Sequence, residues 1–397
     1  MKLIATSQAR GRAGILTYRL EGAKVADEGT VFVAKLDGRD DQAVSATFRP
    51  GDNIGFNVHT HLLNDGPHDL SVSAPRQGLF GNGSASTEFT VANDSALSRQ
   101  VAKLLANSNA PALFAGACDS SFYPYDADDA KVWFDRPDAD AHIARLLAEG
   151  EIDATEATAL RDFLKNGFMV LEGLIDDSLV ADVNREIDHA IETGYGDYQY
   201  GTSQRIEHMH MTYPGMRKLW LDRRHLRFAD LIFNGRARPC QTLTYVFGSQ
   251  QDAHQDTIHL TPFPAGYMCG IWIALQDVQE DSGELVVYPG SHREPRVYLR
   301  DSGCTKVESD WSEFGAKVVP IWQDMASRYE PFVYRPKKGT VLIWHENLLH
   351  AGSVRRDMSR PRRSVVIHTF ADGAVGYYDS TGMAASAVEV EELSLST

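Results

Sequence analysis

From Arg238 to about Phe370 the chain is almost continuously strand-forming, and this run carries His254-Gln255-Asp256 near one end and His350 near the other. Side chains two apart on a strand share a face, so strand geometry projects the His254 imidazole and the Asp256 carboxylate together. His350 follows Asp256 by 94 residues, just beyond Gly339-Thr-Val-Leu-Ile-Trp-His345, which reads as a buried strand. Two histidines and one carboxylate on one face leave coordination positions open, the arrangement that suits non-haem Fe(II). A His-x-Asp pair alone is common on surface strands, so the weight comes from the blocks around it.

The 397 residues exceed one ordinary domain, at roughly 150 residues each. Residues 1–110 hold short β-rich stretches, Gly14–Leu20, Thr30–Leu36 and Asn53–His61, punctuated by Gly, Asp and Asn. That spacing predicts a small antiparallel β-sandwich, an accessory domain with no visible chemistry. Residues 111–138 read as an acidic, irregular connector after a helix from Ala96 to Leu105, and residues 139–397 as a second domain. In it, Asp153-Ala-Thr-Glu156 carries cap chemistry ahead of Leu160, Phe163 and Leu164. Gly167–Gly173 reads as a short strand, and a helix from Asp177 to about Glu192 puts Leu179, Val183, Ile187 and Ile191 on one face.

Lys+Arg 39 against Asp+Glu 54 gives a net charge of −15, which argues against a protein that tracks nucleic-acid phosphates. A 43% hydrophobic content supports a sizeable core. No apolar run approaches the roughly 20 residues that span a bilayer, and the start is too short in apolar residues for a signal peptide. Cys118, Cys240, Cys269 and Cys304 lie far apart without a Cys-x-x-Cys pair, as expected of reduced thiols and a cytoplasmic protein.

Several blocks in order resemble the phytanoyl-CoA dioxygenase family of Fe(II)/2-oxoglutarate oxygenases. They are Phe163–Gly173, Gly248–His259, Trp272–Asp277 with Asp281-Ser-Gly-Glu-Leu285, Tyr288-Pro-Gly-Ser-His-Arg293, Lys338–His345 with His350-Ala-Gly-Ser353, and Arg362–His368. Together they cover about residues 140 to 380. The resemblance implies a mainly β fold with flanking helices, a double-stranded β-helix (jelly-roll) core. It implies Fe(II) held by His254, Asp256 and His350, with 2-oxoglutarate as cosubstrate and O2 as oxidant. It also implies an arginine that pairs with the far carboxylate of 2-oxoglutarate, where a planar, always-charged guanidinium suits bidentate contact. Arg362 fits that place better than Arg363 because its spacing to His368 matches the family block, and alternation sets Arg363 on the opposite face. Ser353 is a candidate hydroxyl contact to the cosubstrate. The implied reaction decarboxylates 2-oxoglutarate to succinate and CO2 while a substrate C–H is hydroxylated. Halogenating relatives carry a small residue in place of the carboxylate, so Asp256 favours hydroxylation. The implied substrate is a small molecule or a glycan-linked intermediate. Acyl-CoA is a poorer fit, since no basic patch outside Arg355–Arg363 offers phosphate contacts.

Other groupings weigh less. His345-Glu346 with His350 has i, i+5 spacing, which at about 100° per residue misses the single helical face a zinc protease needs. His59-x-His61 lacks an obvious third ligand. His208 and His210 lie ahead of the core, where such segments cover family active sites, and Thr257 and His259 follow the metal motif. These four are candidate substrate contacts. His292 reads as turn chemistry, Trp272, Ile273 and Leu275 as core, and Asp277 as a turn cap. Two other function classes stay open from the residues alone: a non-catalytic ligand-binding jelly roll, and a metal-dependent hydrolase using the same triad.

Overall fold

The computed structural model describes residues 1–5, 15–22, 32–41, 43–47, 54–73, 83–92, 96–106, 131–307, 309–381 and 383–384. The chain divides into two compact units. One comprises Met1–Gly116 with Asp372–Tyr378 and Gly382–Thr397, and the other Ala117–Ala371 with Asp379–Thr381. The boundary expected after residue 110, most of the expected connector, Cys118 and the acidic tail lie outside the described residues.

The first unit is a two-sheet sandwich. Strands β1 (Lys2–Ala5), β2 (Ile15–Glu21), β4 (Val44–Thr47) and β5 (Ile54–His59) form one antiparallel sheet in the order β1-β2-β5-β4. Strands β3 (Val33–Leu36), β6 (Gly66–Ser73) and β7 (Ser84–Val91) form the other. Alternating residues from both sheets, among them Leu16, Tyr18, Leu20, Phe56, Val58, Leu70, Val72 and Phe89, meet in one core. His59 is buried there.

The second unit is a jelly roll with helices outside it. The expected cap is present: Glu156 N–H donates to Asp153 Oδ1 (2.8 Å) and Asp153 N–H to Glu156 Oε2 (3.0 Å), a reciprocal pair that starts the helix Ala154–Asn166. The helix ends at Gly167, whose left-handed φ of 81° turns the chain into β8 (Phe168–Leu171). The helix Asp177–Thr193 buries Leu179, Val183 and Ile187 as its spacing predicts. Beyond it come β9 (Ile206–Glu207), β10 (Ala237–Tyr245), the short β11 (Thr261–Phe263), β12 (Met268–Ala274), β13 (Leu285–Val287), β14 (Phe332–Tyr334), β15 (Val341–His345), β16 (His350–Gly352) and β17 (Ser364–Ala371). A six-stranded antiparallel sheet runs β8-β15-β12-β17-β10-β9, and a three-stranded sheet runs β14-β13-β16. Leu243, Tyr245, Trp272, Leu342, Trp344 and Val366 of the large sheet pack against Leu285, Val287 and Tyr334 of the small one. Those residues define the inner face. Cys240, Cys269 and Cys304 are buried and free. Among the described residues no helix is long and apolar enough to cross a membrane.

Residues 131–138 are built into this unit. Val132 and Phe134 are buried, and Trp133 Nε1 donates to Ile232 O (2.8 Å). Asp135 sits between His345 Nε2 (3.3 Å) and Arg296 (3.3 Å), and Arg296 Nε reaches the fully buried Glu346 (2.7 Å). Asn347 N–H donates to His345 Nδ1 (3.0 Å), so the other ring nitrogen carries the proton that faces Asp135. Burial works against the Asp135 carboxylate, yet His345 and then Arg296 hold its pKa well below the usual range. This frame pins the turn from His345 to His350. Arg296→Ala would strand Glu346 without its cation, and the expected loss is about 3 kcal/mol in chemical denaturation.

His225 is fully buried with Nε2–H donated to Leu219 O (2.7 Å), and burial pushes its pKa down to about 4. An unfolded imidazole titrates near 6.5, so between about pH 6.5 and 4 the unfolded chain takes up a proton that the folded chain refuses. Its contribution to stability is therefore complete above about pH 6.5 and declines as pH falls toward 4. The urea midpoint is expected to drop between pH 7 and pH 5, and to drop less in His225→Gln.

Candidate metal centre

His254 and His350 meet as a single bridging pair. His254 N–H donates to His350 O (3.0 Å) and His350 N–H to His254 O (3.1 Å), which adds one rung beside β16. The expectation that His254 and Asp256 share a strand is corrected here. After His254 the chain leaves the ladder: Asp256 N–H donates to Glu346 O (3.1 Å), and Asp256 O accepts from His259 and Leu260 N–H (2.8 Å each), closing a 3₁₀ turn. The turn, rather than strand alternation, aims the carboxylate at the histidines.

Asp256 Oδ1 lies 3.8 Å from His254 Nε2 and 3.6 Å from His350 Nε2. One donor atom from each residue falls within 4.8 Å of the others, the only such group among the described residues. His254 Nδ1 is 2.8 Å from Asp252 O and His350 Nδ1 is 3.0 Å from Leu348 O. A carbonyl only accepts, so each Nδ1 carries a hydrogen and each Nε2 is the ring nitrogen turned to the centre. Burial, and then His350, push the His254 pKa down to about 3. Burial alone would raise that of Asp256, but the surrounding His350, His368 and His254 hold it below the usual carboxylate range. A neutral imidazole at His254 and an ionised carboxylate are the protonation states that a divalent cation requires.

Arg362 is 3% exposed. Its Nε donates to Gly283 O (2.9 Å), Nη1 to the Ser364 hydroxyl, and the guanidinium lies over the Tyr245 and Trp272 rings. Burial lowers its pKa only to about 10, so it stays charged at neutral pH. Among the described residues no carboxylate forms an ion pair with it. Arg363 faces the other way, bonding Asp188 (2.5 Å) and Asn184 on the outer helix.

The remaining candidates are spread more widely. The Ser353 hydroxyl donates to Glu284 Oε2 (2.7 Å), a carboxylate that also binds Arg335. Thr257 is buried with its hydroxyl 3.4 Å from both Glu346 O and Asn347 Oδ1. The His259 ring lies 6.4 Å from that of His254, among Trp311, Phe314 and Trp322. His210 stacks on Trp220 (4.1 Å) and meets Thr242 Oγ1 (3.0 Å), on the outer face of β10 away from the triad. His208 is half-buried beside it, with its carbonyl accepting from Tyr195. His345 and Glu346 belong to the ionic frame, not to the triad. Asp277 accepts from Lys338 N–H (3.0 Å), capping its turn.

Sequence reasoning passed over three residues that touch the centre or its neighbours. Trp344 Nε1 donates to Asp256 Oδ2 (2.7 Å), His368 Nε2 lies 3.4 Å from the same oxygen, and Gln241 reaches His368 Nδ1 (2.8 Å). Parity along the last strand was the available signal, since Arg362, Ser364, Val366 and His368 fall on one face.

The phytanoyl-CoA dioxygenase (PhyH) family model matches residues 163–363, half of the chain, a span that includes the triad and Arg362. Peroxisomal phytanoyl-CoA dioxygenase of Bos taurus is 27% identical over 151 residues, 36% of this chain and 40% of that protein. Phytanoyl-CoA dioxygenase domain-containing protein 1 of Mus musculus is 27% identical over 123 residues, 31% of this chain and 40% of that protein. The chain thus spans about two fifths of the length of these curated relatives. The iron-bound structure of EctD from S. alaskensis has 22% identity and a TM-score of 0.43, covering 55% of this chain and 77% of that one. Fe(II), 2-oxoglutarate and O2 are the cofactors of the matched family, the donor set built by His254, Asp256 and His350 fits them, and the chain belongs to the phytanoyl-CoA dioxygenase family.

Proposed function

We propose that the protein is a 2-oxoglutarate-dependent oxygenase that hydroxylates an unactivated C–H bond of a small molecule or a glycan-linked intermediate. His254, Asp256 and His350 hold Fe(II), and Arg362 pairs with the far carboxylate of 2-oxoglutarate. One observation carries this reading: a charged, buried guanidinium stands on the inner face, and among the described residues no carboxylate is in ion-pair contact with it, Glu284 acting on it only from farther off. A buried cation with no carboxylate in contact is costly, and a dicarboxylate cosubstrate supplies a contacting anion. When bound, Fe(II) and 2-oxoglutarate supply oxidative decarboxylation to succinate and CO2 coupled to oxygen transfer from O2.

The chain's own residues do the rest. The Nδ1–H bonds to Asp252 O and Leu348 O fix both histidine rings with Nε2 turned inward. The Gly283 and Ser364 contacts, with the Tyr245 and Trp272 rings, hold Arg362 in one orientation, which favours bidentate pairing. Trp322 and the packed side chains around it keep water from one side of His254. A hydrolase using the same triad has no use for the lone guanidinium.

Anaerobic titration of the protein with Fe(II) and 2-oxoglutarate, read as a visible metal-to-ligand charge-transfer band, tests the proposal. The wild type is expected to give a saturable band. Asp256→Ala abolishes it, and Arg362→Ala raises the 2-oxoglutarate concentration needed by at least about tenfold, the cost of losing a hydrogen bond between charged groups. Arg363→Ala leaves it unchanged. Tight Fe(II) binding with no band in the wild type would overturn the oxygenase reading.

A further inference from the structure

Four residues form one row across the large sheet. Gln241 on β10 is registered with His368 on β17, His368 with Gly270 on β12, and Gly270 with Trp344 on β15. Neighbours in such a row face the same side, and this row lines the inner face. A bulge between Pro239 and Gln241 sets the register at which Gln241 joins it.

Each member has a role that follows from its neighbours. Gly270 is the gap: a Cβ there would lie 2.2 Å from Trp344 Cε2, so only glycine lets the indole lie across the strand. In that position the indole packs 4.6 Å from the His350 ring and donates Nε1–H to Asp256 Oδ2. His368 approaches the same oxygen through Nε2. A carboxylate only accepts, so His368 Nε2 carries a hydrogen, and the Gln241 amide at Nδ1 holds the ring in that tautomer. The two Asp256 oxygens therefore have separate fates. Oδ1 faces both histidine Nε2 atoms, while Oδ2 is taken by two N–H donors.

We infer that the Gln241–His368–Gly270–Trp344 row is a positioning device that makes Asp256 a one-oxygen metal ligand and keeps a coordination place free for the chelating cosubstrate. A carboxylate free to chelate with both oxygens would compete for the positions that 2-oxoglutarate must occupy. Trp344 and His368 act through Asp256 and are positioning residues. The inference rests on the metal site proposed above.

Its signature is a split between metal and cosubstrate binding. In Trp344→Phe and in His368→Leu, the dissociation constant of 2-oxoglutarate from the Fe(II)-loaded protein is expected to rise about tenfold or more. The Fe(II) dissociation constant, measured anaerobically without cosubstrate, changes by less than that of 2-oxoglutarate, because the freed oxygen can add a bond to the metal. His368→Gln, which keeps an N–H donor, restores cosubstrate binding toward the wild-type value. Unfolding midpoints of the apo-proteins establish that each variant is folded, and His368→Leu against His368→Gln carries the test should Trp344→Phe not fold. Unchanged 2-oxoglutarate binding in the folded variants, or a parallel fall in both affinities, overturns the inference. Wild-type protein whose Fe(II) binding is absent, or survives Asp256→Ala, instead removes the metal site on which it rests.

Discussion

A carboxylate in a protein interior must be surrounded by partners or give up its charge, and the second unit is organised around meeting that condition for Asp256. The residue is 4% exposed, with His254 and His350 facing one carboxylate oxygen and Trp344 and His368 the other. Apart from that of His254, none of these contacts is local. His350 and Trp344 arrive from the far end of the strand-rich run, and His368 from the last strand of the large sheet. The jelly roll is what brings them to one point, so the fold and the chemistry are a single problem here: the same inward parity that fills the core also delivers the donors.

The sequence foretold much of this where local physics is decisive. Asp153 and Glu156 announced a cap because their side chains can close on each other within one turn, and Gly167 marked the end of that helix. Alternation set Arg362 and Arg363 on opposite faces, and the spacing to His368 in the family block picked out Arg362. The geometry at Asp256 was less legible. His-x-Asp was read as strand alternation, whereas the backbone turns because Glu346, ninety residues away in sequence, offers its carbonyl to the Asp256 amide. No local pattern reports such a bond. Trp344 was read only as a residue of a hydrophobic strand, since its value to the site depends on the empty space above Gly270 on the neighbouring strand.

Substrate recognition was the least legible. Pocket contacts depend on which face of an element each side chain takes after packing. His210 shows the difficulty: as part of His-x-His it has the look of a ligand, yet it ends against Trp220 on the outer side of β10. His259 stays near His254, within an aromatic group whose outer member, Trp311, is partly exposed.

The segment around Phe134 gives the second unit an unexpected beginning. It lies upstream of the family-matched residues 163–363, yet its aromatic ring meets Phe163 and His345 (5.5 and 5.3 Å) and its neighbour Asp135 completes the charge balance behind the metal turn. The stretch that resembles the family is therefore not a self-sufficient body. Cut at its own borders, it would carry His345 without Asp135, Arg296 with Glu346 alone, and a hydrophobic seat without its occupant. The smallest piece of this chain that can be handled as an independent oxygenase domain has to start ahead of Val132.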